Sequence, residues 1–311
     1  MSAGWVAATV RARALARRRL GRAGVRTVAT AGSLEAAVRA LAAGPYGHDV
    51  RDGMDAADAE RGVAGTLLWH LRVLSGWLPA DGVRRLRALA AWFEIADIDA
   101  LVDELEGAPA TPPFRLGALG TAWWRLAGAG SLADLRERLA ATPWRDPGGQ
   151  DAVALQFGPR LVWAERVRTT VPEASSWAAG AMALLVARRL AGGRPAPWSD
   201  DHRRLIDGQL GGRWQDAGTL LELREIVARP AAWALDGVAD PEDLWRAETA
   251  WWQRVDRDAH ALMTGSGFGA APVTGAVAAL AVDAWRVRAA IDLAASGTPP
   301  DLRQEVLDAV A

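Results

Sequence analysis

The sequence predicts an all-α fold, and three observations carry that prediction. One motif recurs: Ser33–Tyr46, Ser131–Trp144 and, in looser form, Thr219–Trp233. Three long helical segments end in glycine, at Gly107, Gly192 and Gly297. Nowhere does an apolar/polar alternation of period two persist long enough to make a strand.

Each copy of the motif is a capped helix with a stop. The leading hydroxyl of Ser33, Ser131 or Thr219 can accept a bond from a first-turn N–H, and Asp134 and Glu222 stand where a capping box needs an acid. Leu132, Leu135 and Leu139 then share one helical face, as do Leu220, Leu223 and Val227. Each copy reaches a proline and then an aromatic: Pro45/Tyr46, Pro143/Trp144, Pro230/Trp233. Proline cannot continue the hydrogen-bond ladder, and the ring after it can fold back onto the helix it ended. A unit returning at this spacing predicts a triplicated helical module. The boundaries expected are 1–115, 116–200 and 201–311.

In chain order, residues 5–20 read as an alanine-rich helix with a basic face made by Arg11, Arg13, Arg17 and Arg18. The polar stretch Asp49–Asp58 reads as a loop. Helices are expected over 63–78 and 83–106, with Pro79 turning the chain between them. The second module continues through a helix at 153–171 and another at 177–191, led in by Pro172. The third opens near Asp201, turns at the Asp240-Pro241 cap pair and carries helices over 242–262 and 273–296. Pro299-Pro300 predicts a short terminal helix.

Composition removes several chemistries. The 311 residues contain no cysteine, which excludes disulfides, thiolate metal sites and cysteine nucleophiles, and no lysine, which excludes a Walker-A loop and Schiff-base catalysis. Formal net charge is −1, yet residues 1–34 hold seven arginines and no acid, so the basic surface is local and not that of a general nucleic-acid binder. Arg22 and Arg26 interrupt the apolar region that a secretory signal opened by Arg17-Arg-Arg19 would need, while an Arg-rich, acid-free start is also typical of transit peptides. No run is expected to reach the ~18 apolar residues of a membrane span, and the best attempt, Trp177–Ala187, is closed by Arg188 and Arg189. The expectation is a soluble, cytoplasmic chain.

The order of these parts resembles a family of V/A-type ATPase rotor proteins: the C subunits of the prokaryotic enzymes, known as d subunits in the eukaryotic V-ATPases. The likeness covers essentially the whole chain. It is carried by Val10-Arg-Ala-Arg13, the Ser131–Trp144 motif, Trp92-Phe-Glu-Ile-Ala-Asp-Ile-Asp-Ala-Leu101, Phe268-Gly-Ala-Ala-Pro-Val273 and the segment from Asp283 to Ile291. The resemblance implies an all-helical funnel of three pseudo-threefold modules on the cytoplasmic face of a membrane rotor ring. The foot of a central shaft would enter it, and it would have no catalytic site, cofactor, metal or small-molecule substrate. The family's long helix usually carries a Glu and an Asn. This chain has no Asn, and only Glu94 and Asp283 keep an acid at that place, where the second module has Ala or Gly. The resemblance gives those positions the role of fixing one module against another. The basic face of the first helix becomes a candidate contact for acidic ring loops or anionic headgroups, so Arg11, Arg13, Arg17 and Arg18 are the partner-binding candidates.

Other clusters suggest other chemistry, less specifically. Asp200-Asp201-His202 is the sharpest metal-like cluster and would serve a metal-dependent helical enzyme, but Ser199 or Asp200 is expected to cap the next helix instead. Gly265-Ser-Gly-Phe-Gly269 lacks the preceding strand and the lysine of a phosphate cradle and reads as a helix–helix loop. Glu94/Asp97 and Asp103/Glu104/Glu106 read as solvated runs. Of the tryptophan pairs 123/124 and 251/252, at least one ring in each is expected in the core, since neighbours on a helix diverge by about 100°. His48, His70, His202 and His260 read as surface or packing residues. A free-standing helical scaffold is the third reading.

Overall fold

The computed structural model describes residues 3–193 and 198–296, and it is all-α: no strand occurs among the described residues. In chain order the helices are α1 (Ala3–Ala16), α2 (Gly21–Ala29), α3 (Leu34–Ala42), α4 (Ala56–Ser75), α5 (Ala80–Leu105), α6 (Trp123–Leu126) and α7 (Leu132–Ala140). They continue as α8 (Ala152–Thr170), α9 (Ser175–Ala191), α10 (Asp200–Leu210), α11 (Leu220–Ile226), α12 (Arg229–Ala232), α13 (Leu244–Thr264) and α14 (Ala270–Ala295).

The caps fall where local chemistry puts them. Ser33, Ser131 and Thr219 are extended residues whose hydroxyls accept from the N–H groups of Ala36, Asp134 and Glu222. At Thr219 the capping box is complete. At Ser131 the returning acid reaches one residue further, Asp134 accepting from Gly130 N. Ser199 caps α10 by accepting from His202 N.

Elsewhere the chain departs from expectation. The first helix stops at Ala16, and Gly21, at φ 73°, opens a separate helix, α2, outside the expected set. Pro230 does not stop the third motif: α11 ends at Ile226, and Pro230 sits in the first turn of α12, where its missing N–H costs nothing. Pro159 lies inside α8. The left-handed residue after α9 is Gly193 (φ 63°), not Gly192 (φ −70°). Gly297 and the Pro299-Pro300 helix lie outside the described residues.

The chain divides into two compact units, one of Met1–Gly82 with the chain from Trp252 onward, the other of Val83–Trp251. Both expected module boundaries, after 115 and after 200, lie within the second. The first unit is built on α14, whose Val277, Val282, Val287 and Ile291 are buried, together with Val38, Leu41, Val50 and Val63 from elsewhere in the unit. Burying each such side chain is worth about 1.5–3 kcal/mol. Gly275 lets α13 and α14 approach closely: a Cβ there would lie 2.7 Å from the Ala259 carbonyl. Among the described residues α14 is the one helix long and apolar enough to cross a membrane, and most of it is buried inside this unit. The second unit has its own core, in which Trp144, Leu155, Met182 and Ala183 are fully enclosed.

Candidate functional site

Two buried carboxylates each tie a long helix to a distant segment. In the second unit, Glu94 of α5 is 0 % exposed. It accepts from Thr121 N at 2.5 Å, Ala122 N at 2.7 Å and the Trp144 indole Nε1 at 2.7 Å. In the first unit, Asp283 of α14 is 3 % exposed. It accepts from Leu20 N, Gly21 N and the Tyr46 hydroxyl, each at 2.9 Å. The pattern is the same twice: two successive backbone N–H groups, then the aromatic that follows the motif's proline.

The reasons are local. An apolar helix can bury a carboxylate only if its lone pairs are filled, and three N–H or O–H donors fill them. A buried Tyr or Trp needs an acceptor for its one donor. Burial and then the charge of Asp283 push the Tyr46 phenol well above its ordinary range. The Arg166 guanidinium lies over the Trp144 ring, 5.2 Å from its centroid. Burial lowers the pKa of Arg166, and the nearby Glu94 acts in the opposite direction.

This corrects two sequence expectations. Tyr46 and Trp144 do not simply fold back on the helices they follow; they reach acids on other helices. Glu94 and Asp97 are not a solvated run either. Both are buried, and Asp97 accepts from Phe114 N at 2.9 Å, whereas Asp103, Glu104 and Glu106 lie toward solvent at the helix end. The signal available in the sequence is a donor-bearing aromatic after each proline and an acid within an otherwise apolar helix.

The third motif meets α9 differently. No acid stands at Gly180, and a Cβ built there would lie 2.7 Å from the Trp233 ring. The Trp233 indole donates locally, to the Pro230 carbonyl at 3.0 Å.

The four arginines expected on one face of the first helix separate: Arg11 and Arg13 lie on α1, while Arg17 and Arg18 lie in the turn after it, because the helix stops at Ala16. Arg13 donates to the Gly265 and Gly267 carbonyls and lies over the Phe268 ring, so the glycine-rich loop is held by α1. Arg11 is half-buried, and Arg17 and Arg18 are exposed. His70, on α4, is 6 % exposed. Its pKa is lowered to about 4, first by burial and then by Arg18, His48 and Arg11.

The remaining candidates are occupied structurally. Asp200 and Asp201 lie in the first turn of α10 and pair with Arg203 and Arg204. No group of three His, Cys, Asp or Glu suited to a metal occurs among the described residues. Trp123 packs against the core while Trp124 is 77 % exposed. Trp251 donates to the Trp177 carbonyl, and Trp252 stacks on Trp285. No protein-family model matches the chain, and no curated protein matches it.

Proposed function

We propose that the chain is a non-catalytic central-rotor subunit of a V/A-type ATPase, a socket that joins the central shaft to the membrane rotor ring. In this reading it is peripheral to the cytoplasmic face of the cell membrane. It uses no cofactor and no small-molecule substrate, and it does not bind nucleic acid.

What supports the reading is the direction in which the long-helix contacts run. Glu94, in 1–115, receives Trp144 of 116–200. Gly180, in 116–200, receives the Trp233 ring of 201–311. Asp283, in 201–311, receives Tyr46 of 1–115. Each module thus holds the motif of the next, and the last holds the first. A linear solenoid has no contact from its last repeat to its first, and the Tyr46–Asp283 bond is such a contact. The funnel, the shaft and the ring come from the resemblance in the sequence. A part that transmits torque must also resist deformation, which buried carboxylate locks and close-packed helix seams provide. Arg17 and Arg18, exposed in the turn after α1, are the arginines best placed to meet acidic ring loops or headgroups.

The test is purification of the tagged chain from its own cells in gentle detergent. The expected result is recovery of ATPase shaft and ring subunits with it. Recovery of a stable monomer that retains neither would overturn the proposal in favour of a free-standing scaffold. Replacing Arg17 and Arg18 by glutamine should weaken ring docking, most visibly at low salt, where exposed charges act furthest.

A further inference from the structure

A small cleft in the first unit gathers more positive charge than its own residues neutralise. Its polar lining is Arg18, Arg19, Tyr46, His70 and Asp283, with room inside for about one water-sized group. Asp283 is the one acid among the lining residues, and its oxygens already take Leu20 N, Gly21 N and the Tyr46 hydroxyl. Arg19 is anchored by its Nε to the Ala16 carbonyl at 2.7 Å, which fixes the guanidinium beside the cleft. Arg18 is exposed, at the cleft's rim. Arg11, close enough to act on His70, has a buried Nε with no acceptor among the described residues.

We propose that this cleft is a binding site for a small oxyanion, a carboxylate or phosphate group held by the Arg18 and Arg19 guanidinium groups with the His70 ring beside it. Three properties favour that ligand class. A guanidinium presents paired N–H donors at the spacing of two anionic oxygens. The narrow interior has room for a single oxygen of such a group, with the rest at the mouth beside the exposed Arg18, and excludes a larger metabolite. The walls are partly apolar, with Leu67 and Leu280 among them, so the attraction is less screened than on an open surface. A neutral imidazole adds one further N–H. The site shares Arg18 with the rotary reading but does not depend on it.

The experiment uses the full chain at neutral pH and constant ionic strength, with sodium phosphate, acetate and chloride titrated separately. The His70 ring resonances and the thermal midpoint are followed, in the wild type and in Arg18→Gln, whose exposed side chain can be replaced without disturbing the core. Phosphate or acetate is expected to shift His70 saturably and raise the midpoint, with affinity at least about tenfold lower in Arg18→Gln. Saturation by acetate but not phosphate assigns the site to a protein carboxylate; the reverse assigns it to a free phosphate. A response to chloride alone, no saturable response, or an equal response in Arg18→Gln would overturn the proposal.

Discussion

The helices α5 and α9 receive their motifs in opposite ways. Glu94 on α5 is a polar lock: a buried charge whose three donors come from residues 27 to 50 positions away. Gly180 on α9 is an apolar seat, where the absence of a side chain lets the Trp233 ring lie against the helix while its N–H stays with a local carbonyl. The lock fixes register, because only one placement satisfies all three donors. The seat fixes distance, because only glycine leaves the space. Both orient the aromatic after the motif, and they fail under different substitutions.

The largest expected difference follows directly. Glu94→Ala should cost about 4 kcal/mol of unfolding free energy, since it strands two backbone N–H groups and an indole N–H in the core. Glu94→Gln keeps an acceptor and should cost less. Urea denaturation monitored by helicity measures both. A loss below about 1 kcal/mol for the alanine variant would mean that the lock contributes no more than the seat.

His70 lines the same cleft as the lock at Asp283 and carries a pH dependence of its own. His70 titrates at about 4 in the folded chain, against about 6.5 unfolded. Between those values the unfolded chain binds the proton and the folded chain does not, so stability rises with pH and falls as acid is added. The loss from this group should reach on the order of 3 kcal/mol by its folded midpoint. His70→Gln, neutral throughout, should flatten that part of the pH profile. An unchanged slope would mean that another group carries it.

How much of this is legible in the sequence depends on the range of each interaction. Ser33, Ser131, Thr219 and Ser199 cap helices through bonds three residues away, and each is readable from its neighbours. Pro230 misleads because proline ends one helix as readily as it begins another, and only the position of Ile226 decides between them. The separate helix α2 depends on Gly21 adopting a left-handed φ, which a glycine permits but does not announce. The resemblance marks Glu94 and Asp283 as acids that fix modules together. Their partners, Trp144 and Tyr46, stand out separately, as aromatics after a proline. Joining the two sets requires a contact across 50 residues in one case and 237 in the other, which periodicity cannot supply. The cleft around His70 is invisible for the same reason: its lining comes from four separate segments.

The seat can be broken by the smallest side chain. Gly180→Ala should raise helix propensity by about 1 kcal/mol in an unhindered helix. Here the new methyl meets the Trp233 ring at 2.7 Å and Ala234 Cβ at 3.1 Å, and the overpacking should leave a net loss of about 2 kcal/mol. Trp233→Ala in the same background should make the alanine at 180 harmless or favourable. Additive effects in that double-mutant cycle would show that the ring does not rest on the glycine.

The weakest expected effect tests the smallest part of a lock. Tyr46→Phe removes one hydroxyl, leaves Asp283 its two backbone donors and should cost about 1.5 kcal/mol. Tyr46 is the only tyrosine in the chain, so phenolate absorbance reports it alone. Burial and the Asp283 charge raise its pKa above the ordinary value of 10.0, so the folded chain keeps the proton where the unfolded chain releases it. The contribution is therefore complete below about pH 10 and lost as pH rises further. Ionisation should not precede unfolding: the absorbance step should coincide with the loss of helicity. A phenol that titrates near 10 while the helices persist is not held against Asp283, and the lock in the first unit would then lack the aromatic that makes it the counterpart of Glu94.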